Sequence, residues 1–215
     1  MRVAAGRQFR GMPVANRSYL YSTNVVPGQD ADKSKRRIVG ISEWNYDIPL
    51  VFRLLASGGT RTCRSVIWDN PDEIALLGDY AEGVARLRAF LKQIELPAAQ
   101  PLIQEALAFL DKESNRNTYF LLECGEIFDM EETPLAAQNA QLLHGMSNLH
   151  AETESILAGM RKLHAEQAKS AGLIARLFGA KPPKPADPKT DPLQPLRALG
   201  LGYWSNVLYF DFSKP

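Results

Sequence analysis

A seven-residue apolar repeat in the second half of the chain limits the possible folds more than any other feature. Its main series is Leu135, Leu142, Leu149, Ile156, Leu163, Ser170 and Leu177, and its interleaved series is Asn139, Met146, Thr153, Met160, Gln167 and Ile174. This spacing is typical of a helical face that packs against another surface. It predicts a long helix or a helical hairpin over residues 131–179. The predicted packing residues are Leu135, Leu142, Met146, Leu149, Ile156, Met160 and Leu163.

The width of this apolar face bears on what it packs against. A two-stranded coiled coil places charged residues beside its seam, but here the neighbouring positions include Ala136, Leu143, Leu157 and Phe178. The wider stripe favours packing on the chain's own domain or within a hairpin. A structural homodimer formed through the same helix is the alternative, because the polar seam residue Asn139 suits partial exposure.

The first 130 residues predict an α+β core. Between residues 15 and 23 the chain alternates, which puts Tyr19 and Tyr21 on one face of a strand and Leu20 on the other. Helices are expected to begin near Pro49, Pro71 and Pro101, and the second is expected to reach Ile94. We expect a mainly antiparallel sheet of about four to five strands, covered by helices and joined to the long heptad-patterned helical segment. The strands of this sheet are expected near Tyr19, Val66, Leu121 and Tyr209.

Composition divides the chain into five segments. Residues 1–14 are predicted to be a disordered or non-native extension, with Met12 as a candidate start, because the first eleven residues hold three arginines and no acid. Residues 15–130 are the α+β core, and residues 131–179 are the helical segment. The proline-rich residues 180–195 predict a semi-extended linker. Residues 196–215 are predicted to return to the core sheet as a C-terminal strand.

The charge balance and the cysteine usage exclude several classes of function. Lys and Arg number 25 against 24 Asp and Glu, so the net charge of +1 provides no general attraction for nucleic acid or for a membrane surface. No apolar run approaches the roughly 18 residues of a membrane span. Cys63 and Cys124 lie in apolar stretches and are interpreted as buried thiols of a reducing compartment. These features predict a cytoplasmic protein that binds neither nucleic acid nor membrane.

The histidines do not predict a metal site. The tetrapeptide Leu-His-Ala-Glu occurs twice, beginning at Leu149 and at Leu163. His150 and His164 would lie about 21 Å apart along a straight helix, because each residue adds 1.5 Å. Residues two apart on a helix point in different directions, so His150 and Glu152 cannot bind one metal ion together. We therefore predict no metal and no cofactor.

Acidic and aromatic residues predict a surface for a protein partner. Aromatic anchors lose little entropy on binding, and neighbouring carboxylates select a cationic partner. Nine acids and two basic residues lie between residues 111 and 154, which gives this stretch a local charge of about −7. The alternative is that Trp44 and Tyr46 cover the sheet as part of the core. The predicted partner-binding residues are Glu43, Trp44, Tyr46, Asp47, Asp129, Glu131 and Glu132.

The same carboxylates allow an enzymatic alternative. No nucleophile motif or phosphate-binding loop stands out in the sequence, so no catalytic residue is assigned. Paired carboxylates can nevertheless perform acid/base chemistry, because their closeness raises the pKa of one of them towards neutrality. A small hydrolase or transferase of this kind would require Glu43, Asp47, Glu123 and Glu126 to converge in one cleft.

Three sequence blocks carry a resemblance to a known group of proteins. The blocks are ANRSYLYS near the start, ISEWNYDIPLVFRLL after it and YFLLECGEIFDM at mid-chain. Over residues 15–130 the chain resembles a group of uncharacterised bacterial proteins of this type. The resemblance implies a bacterial origin, and it carries no activity, cofactor or set of site residues.

Together these observations favour binding over catalysis. We predict a non-enzymatic, cytosolic protein-binding module. Its expected role is that of a bacterial immunity protein, which neutralises a cognate basic toxin through its acidic and aromatic surface. The carboxylate-dependent enzyme and the structural homodimer are the two alternatives.

Overall fold

A computed structural model describes residues 16–29, 35–178 and 193–212 of the chain. In its longest helix, the side chains of residues 163, 164 and 166–178 are not described. The predictions for residues 1–14, for the Leu163 side chain and for most of the linker at residues 180–195 therefore lie outside the described residues.

Within the described ranges, five strands form one sheet. They are β1 (Arg17–Thr23), β2 (Ile38–Asn45), β3 (Arg61–Cys63), β4 (Ala75–Asp79) and β5 (Tyr119–Glu123). Their order is β2-β1-β5-β4-β3, and every neighbouring pair is antiparallel. The predicted α+β class with a mainly antiparallel sheet is confirmed.

Helices follow the strands and cover one face of the sheet. The described helices are α1 (Leu50–Ala56), α2 (Tyr80–Leu91), α3 (Gln100–Asp111), α4 (Gly125–Phe128), α5 (Leu135–Gly145), α6 (Leu149–Phe178) and α7 (Gln194–Ala198). Helix α3 shows why they form here, because Pro101 occupies its first turn and Leu102, Ala106 and Phe109 recur at helical spacing on its buried side. These apolar sides join Leu20 and other sheet residues in one buried cluster.

The second face of the sheet carries a separate, smaller core. Tyr19 and Tyr21 project from this face of β1, while Leu20 projects towards the helices, as the alternation in the sequence predicts. The C-terminal segment covers the two tyrosines. The ring centroid of Phe210 lies 5.4 Å from that of Tyr19, and the centroid of Phe212 lies 5.4 Å from that of Tyr21. Both faces of β1 are therefore buried.

The predicted helix from Pro71 to Ile94 is wrong in its first third. Residues 75–79 form strand β4, and α2 begins only at Tyr80, where the side chain of Asp79 accepts a hydrogen bond from the Glu82 N–H. Strand β4 lies between β5 and β3 and is buried on both faces. Such a strand is apolar throughout and lacks the alternation that distinguishes a strand from a helix.

The strands expected near Val66 and Tyr209 are also replaced by irregular backbone. Strand β3 ends at Cys63, and the described part of the C-terminal segment contains helix α7 and a single bridge between Ser42 and Trp204. Near residue 209 a side chain takes the place of a strand partner. The Tyr209 N–H donates to a carboxylate oxygen of Glu43 instead of to a neighbouring strand. Apolar alternation alone does not reveal that competition.

The heptad segment packs against the chain's own core as far as Met160. Leu149 and Leu157 are buried in the helix-covered cluster. The partly buried residues that pack against this cluster include Leu135, Leu142, Met146, Ile156 and Met160. The Arg53 guanidinium of α1 also pairs with both carboxylate oxygens of Glu152 on α6, at 2.7 and 2.6 Å. The described part of the apolar stripe is therefore an intramolecular surface.

The contact between α1 and α2 predicts opposite effects for two glycine substitutions. A Cβ at Gly83 would overlap the carbonyl oxygen of Leu55, whereas a Cβ at Gly159 would meet nothing within 4 Å. We expect Gly83→Ala to lower the free energy of unfolding by about 1–3 kcal/mol, because the two helices must separate. Gly159→Ala should instead raise it by about 0.5–1 kcal/mol, because alanine favours a helix. Urea denaturation measures both, and stabilisation by Gly83→Ala would contradict the close approach.

Candidate functional site

The antiparallel sheet brings most of the predicted site residues to one of its ends. The register pairs Arg17 with Asn45 and pairs Tyr19 with both Glu43 and Glu123. The start of β1 therefore lies beside the ends of β2 and β5, and the segments that follow these two strands begin at the same end. We call this region the acidic end, and its residues are Glu43, Asp47, Glu123, Glu126, Asp129, Glu131 and Glu132.

Arg17 connects two carboxylates of the acidic end. Its backbone N–H donates to Oε2 of Glu126 at 2.8 Å, and its Nε lies 3.5 Å from Oε1 of Glu43. The same Nε donates to the side-chain oxygen of Asn45 at 3.1 Å. Oε1 of Glu126 accepts a further hydrogen bond from the Tyr19 hydroxyl at 3.0 Å. Sequence reasoning missed Arg17, because its role depends on a pairing between segments more than 100 residues apart.

A cleft lies where β2 meets the C-terminal segment. Its volume is about 570 Å³, and it is lined by Glu43, Trp44, Asn45, Gly202, Tyr203, Trp204, Ser205 and Val207. The rings of Trp44 and Tyr203 meet nearly at right angles, with centroids 5.1 Å apart. Oε2 of Glu43 accepts the Tyr209 N–H at 2.8 Å, which fixes the carboxylate at the edge of the cleft. The cleft thus combines aromatic rings with a positioned carboxylate.

The residues predicted around the end of β2 do not all line this cleft. Glu43 and Trp44 do, whereas Tyr46 and Asp47 follow the strand as exposed residues. The Asp47 side chain accepts a hydrogen bond from the N–H of Ile48. Tyr46 adopts a φ of 62°, which is unusual for a residue with a side chain, and the residue is 59% exposed. The Tyr46 backbone is held there by a 2.7 Å hydrogen bond from its N–H to the Asn16 carbonyl.

The second predicted group lies after α4 at the same end of the sheet. Asp129, Glu131 and Glu132 are exposed, and none of their carboxylates has an ion pair or hydrogen bond with another described residue. Met130 between them is 53% exposed. The connection to the cleft is indirect, through Glu126 of α4 and the Arg17 that binds it. The acidic end therefore has a cleft beside Glu43 and, next to it, a cluster of accessible acids.

Glu123 has a structural environment that differs from the rest of the acidic end. It is buried, and its carboxylate accepts the Ser65 hydroxyl and the Val66 N–H, each at 2.7 Å. The Ser65 oxygen in turn accepts the N–H groups of Ile67 and Trp68. Burial raises the pKa of Glu123 to about 7, although these two hydrogen bonds oppose the rise. Glu123 thus anchors the irregular connection between β3 and β4.

The four carboxylates named for the enzymatic alternative do not share one cleft. Glu43 lines the cleft, Glu126 binds Tyr19 and Arg17, and Glu123 is enclosed beneath the loop that follows β3. Asp47 is exposed, and its carboxylate accepts a hydrogen bond from the Ile48 N–H. The two thiols are equally unsuited to nucleophilic chemistry at neutral pH, because burial raises their pKa values. The geometry offers no pair of acid/base groups around a common space in the described chain.

In the part of the chain that the structure describes, no three His, Cys, Asp or Glu side chains are arranged to hold one metal ion. The same part contains no helix with the length and apolar character needed to cross a membrane. The side chain of His164 lies outside the described residues.

Comparison with known proteins places most of the chain in a protein family. A family model described as domain of unknown function (DUF7822) matches residues 24–164, which is more than half of the 215 residues. It includes four strands of the sheet and helices α1–α5. No curated protein and no solved structure shows significant similarity to the chain.

The burial of Glu123 predicts a pH-dependent stability. The unfolded chain releases this proton near pH 4.5, but the folded protein retains it until about pH 7. The contribution of Glu123 to stability is therefore constant below about pH 4.5 and decreases as the pH rises through this interval, by about 3 kcal/mol in total. We expect Glu123→Gln to remove most of this decrease, which thermal or urea unfolding between pH 4 and 8 would measure.

The informative quantity in this experiment is the slope of the free energy of unfolding against pH, and not its absolute value. Glutamine retains one acceptor but loses another, so Glu123→Gln will also shift the stability at every pH. The control is Glu131→Gln, which changes an exposed carboxylate and should keep the wild-type slope. If Glu123→Gln also kept that slope, the raised pKa would be refuted.

Proposed function

We propose that this chain, which belongs to the DUF7822 family, is a non-enzymatic protein-binding module that docks a basic protein on its acidic end. The specific role is that of a cytosolic bacterial immunity protein, and the basic partner is its cognate toxin. The partner is held by two kinds of contact at once. Accessible carboxylates attract and orient it, and exposed aromatic side chains provide the apolar anchors.

The coincidence of exposed apolar side chains with the acids carries this proposal. The large apolar residues that are exposed in the described chain are Tyr46, Met130, Tyr203, Val207 and Tyr209. Tyr46 and Met130 directly neighbour Asp47 and Glu131, while Tyr209 bonds Glu43 through its N–H. Large apolar side chains that share one region and are rimmed by charge are typical of protein–protein interfaces.

The charge of the acidic end is local, because the whole chain carries a net charge of only +1. At the opposite end of the sheet Thr23 pairs with Ile38 and with Tyr119, and Arg36 and Arg37 immediately precede β2. That end carries charges of both signs, because Glu82 and Glu113 lie near it as well. An uneven distribution of this kind orients a charged partner during its approach and sets the docking direction.

The two alternatives lack comparable geometric support. A dimer through the heptad helix requires a free apolar face, but in the part of this helix whose side chains are described Leu149 and Leu157 are already buried in the chain's own core. A carboxylate enzyme requires two acids around one substrate, but Glu123 is enclosed and Glu126 is engaged by Tyr19 and Arg17. Binding of a basic protein makes use of the residues that are exposed.

Charge reversal provides the test of this proposal. We expect Glu131→Lys/Glu132→Lys to weaken the complex with the basic partner by about fivefold or more, because two attractive contacts become repulsive. The wild-type complex should weaken as the salt concentration rises from about 0.05 to about 0.3 M. The partner is captured from lysate of the native cell by the tagged protein, identified by mass spectrometry, purified, and titrated against each variant.

A matched variant separates docking from total charge. Glu82→Lys/Glu113→Lys makes the same change in net charge at exposed positions near the opposite end of the sheet. It should bind the partner like the wild type. Equal weakening by both variants, or a complex that salt does not affect, would refute the acidic docking site.

A further inference from the structure

We infer that the cleft beside Glu43 is a pocket for an arginine side chain of the bound partner. This inference rests on the proposed function, because it names the residue type that the partner inserts at the acidic end. Its volume of about 570 Å³ falls within the usual range for ligand pockets, about 300–1,000 Å³.

The walls of the cleft match the flat face and the N–H edge of a guanidinium group. Trp44 and Tyr203 are oriented at 79° to each other, so their ring faces point in different directions. A flat cation can stack on an aromatic ring face, where the π-electrons attract it. Glu43 adds a carboxylate at the edge of the same space. An arginine that stacks on a ring can simultaneously donate parallel hydrogen bonds to that carboxylate.

The protein already uses this chemistry on the neighbouring side of Glu43. The guanidinium carbon of Arg17 lies 4.9 Å from the centroid of the Tyr209 ring. The Nε of Arg17 lies 3.5 Å from Oε1 of Glu43. An internal arginine therefore combines an aromatic face with the Glu43 carboxylate, in the arrangement that we assign to the partner's arginine on the cleft side.

Glu43 retains the capacity for a second cation. Its Oε2 accepts one hydrogen bond, from the Tyr209 N–H, and its Oε1 lies near Arg17. An ionised carboxylate offers about four acceptor positions, so both oxygens can accept further donors. The charge also permits it, because Arg17 contacts both Glu43 and Glu126, so that two carboxylates meet one described cation here. One additional positive charge brings the local net charge closer to zero.

Arginine suits this cleft better than lysine. A lysine ammonium is a compact and strongly hydrated charge, and it gains less from a broad aromatic wall. A guanidinium is planar and weakly hydrated, so it loses less hydration when it lies against Trp44 or Tyr203. The cleft therefore selects both the charge and the shape of the group.

A small-molecule titration tests the pocket without the partner. The probe is N-acetyl-arginine amide, and its neutral isostere N-acetyl-citrulline amide is the comparison. We expect the arginine compound to bind with a Kd on the order of millimolar and to shift the Trp44 indole N–H resonance in the full-length protein. The citrulline compound should bind at least tenfold more weakly, and N-acetyl-lysine amide should fall between the two.

Three variants locate the binding. Tyr203→Ala and Glu43→Gln should each weaken arginine binding several-fold, whereas Glu113→Gln, which changes an exposed carboxylate near the opposite end of the sheet, should leave it unchanged. The Tyr203 and Glu43 variants change two lining residues from different segments of the chain, so a folding defect in one leaves the other informative. Equal binding of arginine and citrulline amides, or shifts that the cleft variants do not change, would overturn the inference.

The outcome also separates this inference from the proposed function. If arginine amide fails to bind while Glu131→Lys/Glu132→Lys still weakens the partner complex, the pocket assignment fails and the docking function stands. If arginine amide binds in the cleft but charge reversal and salt leave the partner complex unchanged, the acidic docking function fails.

Discussion

The hydrogen bonding of β1 to both β2 and β5 is the constraint on which the rest of the structure depends. It sets three distant segments side by side, so that Glu43, Tyr19 and Glu123 stand in one row across the sheet. A shift of this register by one residue would turn the tyrosines of β1 towards the helices and Leu20 towards the C-terminal segment. The acidic end exists because the register and the antiparallel direction place the ends of β2 and β5 together.

The acidic end separates two uses of a carboxylate. Glu123 is enclosed, and it holds the connection after β3 through Ser65 and Val66 at a cost in stability near neutral pH. Glu131 and Glu132 are exposed, so their charge is available to a partner. Residues of the same type, within ten positions of each other, therefore contribute either to the fold or to the surface, according to burial alone.

The sequence predicts elements whose pattern is local, and it fails where distant segments decide. The alternation around Leu20 was sufficient because it separates two tyrosines from a leucine that enters the other core, and the spacing within α3 was sufficient because it reflects one exposed and one buried side. Strand β4 was missed because burial on both faces removes the alternation. The acids and aromatics of the candidate site were visible as a composition. The cleft and Arg17 were not, since both arise from contacts with segments far along the chain.

The edge of β2 has a consequence for synthesis. Its outer side is occupied by the C-terminal segment, through Ser205 N–H to Ile41 and through Ser42 to Tyr203, which lies 161 residues later. A ribosome builds the chain from its N-terminus, so β2 emerges long before the segment that covers it. During that interval the edge of β2 is open to pairing with another strand, so the last segment to be made is the one that closes the sheet.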